Sequence, residues 1–149
     1  MTKPIKIILL AALVAWSAAG ITHANPVFKT RVRVIQAGTG AAHVDPGLGD
    51  LTRELQSVFR YTSYRLIQTR NMDLRKKQEG RLPLPGGRNL VITPSGMEGK
   101  RITYGIRIDK KNRPVFRTRI ALQNNRSITI GGPKAKNGVL LLNISGSVR

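Results

Sequence analysis

Residues 45–67, DPGLGDLTRELQSVFRYTSYRLI, carry the only convincing helix signal in the chain and lead from it directly into a strand. Asp45 stands where a helix N-cap belongs, and Pro46 occupies the first helical position, where a missing N–H costs nothing. Leu48, Leu51, Leu55, Val58 and Phe59 recur at spacings of three and four, which gathers them into one apolar stripe. Asp45, Asp50 and Glu54 come early and Arg60 late, in the order that suits the helix dipole. The spacing predicts a single amphipathic helix near residues 46–60. From Tyr61 the helical period is lost, and β-branched and aromatic residues predict a strand over 61–70.

Working outward, nearly everything else alternates with the period of two expected of half-buried strands. Phe28, Thr30, Val32 and Val34 alternate with Lys29, Arg31 and Arg33. The AGTGAAHVDPG segment that follows is a loop by composition, since its glycines lack the spacing of a nucleotide-binding turn. Downstream, residues 71–87 are polar and hold Arg75, Lys76, Lys77 and Arg81, predicting a hairpin tip or exposed loop. Pro83 and Pro85 restrict the next strand to an edge. A short strand over 89–93 closes at Pro94, Ser95 and Gly96. Strands over 100–109, 116–122 and 127–130 follow, with a tight turn at Asn124 and Asn125.

The last strand, from Val139 to Ile144, is apolar on both parities and belongs in the centre of a sheet, covered on both faces. The expected architecture is mainly β with one helix, an antiparallel β-sandwich or small barrel of about seven or eight strands. The apolar stripe of the helix would close over strands such as 102–108 and 139–144.

Ahead of this domain, Lys3 and Lys6 precede an apolar run over 7–19, and small residues follow up to Ala24. That order reads as a secretory signal peptide over residues 1–24, leaving a single β-rich domain over 25–149. Such a protein belongs in the periplasm or cell envelope, or is secreted, and meets a membrane only through the signal peptide before cleavage. There is no cysteine, so neither a lipid-anchored leader nor a disulfide framework is available. The 149-residue chain has 26 basic and seven acidic residues; without the leader's two lysines it keeps 24 against seven, a net +17. Arginine outnumbers lysine 16 to 8 in that portion, which favours forked pairing with carboxylate or phosphate.

Catalytic machinery is sparse. The domain offers one histidine, His43, with acids scattered singly at 45, 50, 54, 73, 79, 98 and 109, and neither a metal-ligand array nor a nucleophile elbow. No catalytic residue, cofactor or metal is expected. Binding is better supported, because Arg31, Arg33, Arg65, Arg101, Arg107, Arg117 and Arg119 all fall on the polar phase of predicted strands. Neighbouring strands can stack them into a basic face for an acidic protein partner in an extracytoplasmic complex, or for an anionic polymer or lipid surface. The alternative for each is a solvated outer position. No specific nucleic acid is implied, since aromatics are few and no RNA-binding motif appears.

Residues 118–133, TRIALQNNRSITIGGP, resemble the strand-turn-strand signature of outer-membrane secretin channels. Asn124, Ile128, Ile130, Gly131 and Gly132 match; Asn125 replaces the usual glycine, Ser127 the usual threonine and Pro133 the usual leucine. The likeness covers sixteen residues and implies a hairpin and an envelope setting. Taken whole, the chain is similar to small, uncharacterised exported bacterial proteins with DPGLGDL, LPGG and GGP landmarks, a likeness that implies no function.

Overall fold

A computed structural model describes Gly20 and residues 23–149; the expected signal peptide lies almost wholly outside the described residues. Among the described residues, nine strands form two packed sheets, accompanied by one α-helix. In chain order they are β1 (Val27–Gly38), β2 (His43–Val44), α1 (Thr52–Val58), β3 (Ser63–Arg75), β4 (Gly80–Leu84), β5 (Arg88–Glu98), β6 (Arg101–Lys110), β7 (Arg113–Gln123), β8 (Arg126–Ala135) and β9 (Gly138–Val148). One sheet has five strands in the order β2-β3-β1-β9-β8, and the other has four in the order β4-β5-β6-β7. All pairings are antiparallel except the two-residue contact of β2 with β3. The mainly β, sandwich-like fold with one covering helix is as the alternation predicts.

The core between the sheets is the apolar phase of those strands. Phe28, Val32 and Val34 of β1 meet Leu140, Leu142 and Ile144 of β9 on one side, facing Leu90, Ile92, Ile102, Tyr104, Ile106 and Ile108 of the other sheet. Strand β9 lies between β1 and β8 and carries a core on each face, which explains why both of its parities are apolar. Its even positions enter this core. Leu141, with Val139 packed beside it, serves a second, smaller core on the outer face of the five-stranded sheet.

The helix covers that outer face, not the strands over 102–108. Leu48, Leu51 and Leu55 pack with Ile35, Ala37, Tyr64 and Leu141. The expected 46–60 helix is also shorter: a 3₁₀ turn over Pro46–Leu48 precedes a seven-residue α-helix, and Val58 faces solvent. Gly47 and Gly49, poor helix formers, interrupt it. Asp45 does not cap with its side chain. Its carboxylate instead accepts from the Leu66 N–H at 2.7 Å and from His43 Nε2 at 2.6 Å, tying the loop to β3.

Two connections differ from the hairpins expected. The segment over 71–87 is largely strand, because β3 continues to Arg75 and β4 starts at Gly80, and the link between them crosses from one sheet to the other. Pro94 to Gly96 does not end β5 but forms a bulge within it. The Asn124-Asn125 turn likewise joins strands of different sheets, so β7 and β8 are not paired and residues 118–133 form a corner rather than the hairpin expected. Asn125 has φ +62°, as the turn requires. The corner is fastened to the five-stranded sheet by Asn125 N–H to Gly146 O, and by Val148 N–H to Asn124 Oδ1.

Candidate functional site: an arginine face on the four-stranded sheet

The register of β4 to β7 determines which cations share a surface. Core positions Ile102, Tyr104, Ile106 and Ile108 of β6 point inward, so Arg101 and Arg107 point outward. Arg117 lies directly across from Arg107, Arg119 from Gly105, and Gln123 from Arg101. On the other side of β6, Arg107 faces Val91, and Val91 in turn faces Arg81. One outer face therefore carries Arg81, Arg101, Arg107, Arg117 and Arg119. Positions two apart on a strand are about 6.6–6.8 Å apart, and neighbouring strands about 4.8 Å.

These cations are not equivalent. Arg107 Nε donates to Asp109 Oδ1 at 2.9 Å, and its NH1 group reaches Glu79 Oε1 at 3.4 Å. Its hydrogen bond with Asp109 holds the guanidinium pKa above its ordinary value. Glu79 also accepts from Arg81, so one carboxylate bridges the two arginines that flank Val91. Val91 is only 1% exposed although it stands on the outer face, between Arg81 and Arg107. The carboxylates of Asp109 and Glu79 beside Arg107 offset the like-charge opposition with Arg117 that the register imposes. Arg117 and Arg119 make no side-chain hydrogen bond or ion pair among the described residues, and both are exposed. They are the cations this face leaves available.

The remaining arginines singled out in the sequence lie elsewhere. Arg31 and Arg33 are on the outer face of the five-stranded sheet. Arg65 points to the opposite side of β3 from Tyr64 and Leu66. Arg31 is exposed beside a depression of about 470 Å³ floored by Lys29, Asn71, Asp73, Ser145 and Ser147. Arg33 is 5% exposed and holds Asp50 in a fork at 2.8 Å on both oxygens, while Nε donates to Asn143 Oδ1 at 3.2 Å. It is an internal clamp between the sheet and the segment leading into α1, which removes it from the surface set. The Arg33 hydrogen bonds hold the Asp50 carboxyl below its usual range.

Arg65 lines a hollow of about 690 Å³ with Gln36, His43, Ser63 and Asn137. His43 is not on a free loop: it begins β2, across from Ser63, with Asp45 on Nε2. The His43 hydrogen bond is the main reason the Asp45 carboxyl stays below its ordinary pKa. Among the described residues no hydroxyl is hydrogen-bonded to that imidazole, and no cluster of three His, Cys, Asp or Glu side chains is placed to hold a metal. Arg81 also belongs to the four-stranded face, because the expected loop around it is the strand β4. The signal for it was present, since Leu82 and Leu84 flank Arg81 and Pro83 with alternating phase.

No family model, curated protein or solved structure matches the chain.

Proposed function

We propose that the protein is a non-catalytic, exported docking subunit whose arginine face on the four-stranded sheet receives an acidic protein partner in the cell envelope. The supporting observation is the pair Arg117 and Arg119, exposed and unpaired on an edge strand, while their neighbour Arg107 is locked by Asp109 and Glu79. Unneutralised cations beside an ordered ionic cluster provide electrostatic complementarity to carboxylates. Capture of envelope proteins on the immobilised chain tests it. An acidic partner retained at low salt and shed near 0.5 M salt is expected, because that salt screens surface attraction beyond about 4–5 Å. The double reversal Arg117→Glu with Arg119→Glu should weaken capture about tenfold or more, equivalent to about 1.4 kcal/mol. Capture unaffected by that reversal rejects the reading.

A second reading, a soluble binder of anionic polymers or membrane surfaces, draws on Lys29 and Arg31, which are open on the other sheet. It predicts that Lys29→Glu with Arg31→Glu reduces heparin retention as much as the β7 reversal does. A docking subunit loses its partner only on the β7 side.

A further inference from the structure

Strand β7 is more than the carrier of two arginines. It is an edge of its sheet, its eleven residues are exposed except for Ile120 and Leu122, and among the described residues no strand is hydrogen-bonded along its free side. An uncovered edge presents unpaired N–H and C=O groups that can template another strand. The neighbouring edge, β8, belongs to the opposite sheet and is not bonded to β7; the two lie together near the corner, while residues 113–119 of β7 are exposed throughout. Val115 and Phe116 are 56% and 38% exposed, two of the five large apolar side chains that reach solvent among the described residues. Ile128 and Ile130 of β8 are only partly buried against the main core.

We infer that β7 receives an extended segment of the partner as an added strand, one whose residues alternate between acidic and apolar. This inference rests on the docking reading above and specifies its mode. The alternation follows from the two faces of β7. Arg117 and Arg119 point outward, so the outward residues of an added strand lie beside guanidinium groups and should be Glu or Asp. Phe116 and Thr118 share the inward parity of Ile120 and Leu122, so the inward residues meet Phe116 and the β8 isoleucines and should be apolar.

Charge also argues against a second copy of this chain as the occupant. Antiparallel pairing of two β7 strands about Thr118 would set Arg117 of each copy opposite Arg119 of the other, and like charges directly opposed are destabilising. The same arginines that admit an acidic strand thus keep the edge from pairing with itself.

The test uses the protein with three labelled nonapeptides at about 50 mM salt. One alternates Glu and Val, one has the same composition with a central proline, and one alternates Lys and Val. The Glu/Val peptide is expected to bind at least tenfold more tightly than either of the others. It should also slow hydrogen exchange at alternate amides within residues 113–123, which side-chain contact alone does not do. The Arg117→Glu, Arg119→Glu variant should exchange its preference to the Lys/Val peptide. Equal affinity for the Glu/Val and proline peptides, with no β7 protection, overturns strand addition while partner capture still stands on its own salt and charge-reversal test. Protection of β7 in the peptide-free protein together with a dimeric mass makes the occupant a second copy and also overturns it. If the peptides do not bind and capture of envelope proteins is unaffected by the β7 charge reversal, both the inference and the docking reading fall.

Discussion

Truncating Asp50 to alanine strands a guanidinium that has almost no access to water. Arg33 would keep Asn143 Oδ1 and, at 3.4 Å, the carbonyl of Gly47, but lose both carboxylate bonds. Breaking a fully buried pair costs about 3–5 kcal/mol, and Asp50 is 59% exposed, so about 1–3 kcal/mol is expected by denaturant unfolding. Replacing both partners, as Arg33→Met with Asp50→Ala, should recover most of the loss, because it removes the stranded charge along with its partner. A second single-residue case concerns Gly146 of β9. A Cβ there would lie 2.5 Å from the Tyr104 hydroxyl, which is itself 2.9 Å from Thr30 Oγ1 in the core. Gly146→Ala is expected to destabilise by about 1–3 kcal/mol through overpacking. Tyr104→Phe removes the atom in the way, so in a double-mutant cycle the pair should cost less than the sum of the singles.

At the scale of elements, the attachment of the α1 segment is the feature most sensitive to acid. Seven helical residues do not stand alone in water, so α1 depends on its apolar contacts, on the Arg33–Asp50 fork and on Tyr64. The Tyr64 hydroxyl lies 2.9 Å from Leu55 O and 2.8 Å from Phe59 O, sharing its proton between carbonyls at the helix end. Asp50 and Asp45 both have folded pKa values depressed below the unfolded one, so their contribution is present above the unfolded value and lost as pH falls through the folded value. Below about pH 4, amides within 45–60 should lose protection before those of β1 or β9, a sequence that hydrogen exchange resolves. Loss of protection in both regions together would show that the segment is not independently released. These contacts also mark the limit of what the sequence conveys. Strand phase was legible because each strand buries one parity, which reveals Ile102 to Ile108 as core and Arg117 and Arg119 as surface. Which sheet a strand joins was not legible, because the same two-residue turn at Asn124-Asn125 serves a hairpin or a corner. Arg33 was misread for a related reason: its parity is correct for an outer face, but that face is itself covered by the 3₁₀ turn and α1.

For the whole molecule, charge is the dominant global term. The chain carries +19, and the five ion pairs among the described residues engage Asp45, Asp50, Glu79 and Asp109, leaving most of the 26 basic groups unmatched. Added salt weakens those few pairs, which lowers stability, and screens mutual repulsion among the many cations, which raises it. Surface pairs contribute about 0–1 kcal/mol each, and cations outnumber acids 26 to seven, so screening should dominate. The melting temperature is therefore expected to rise as salt goes from about 10 mM to 150 mM, as the screening length falls from about 30 Å to 8 Å. A melting temperature that falls over this range would mean that the ionic clusters at Glu79 and Asp50 outweigh the net charge. The rise should be smaller in the Arg117→Glu, Arg119→Glu variant, whose net charge is four units lower. Because the exposed arginines of β7 add to the repulsion that a bound acidic strand would relieve, the Glu/Val peptide should raise the melting temperature more at 10 mM salt than at 150 mM.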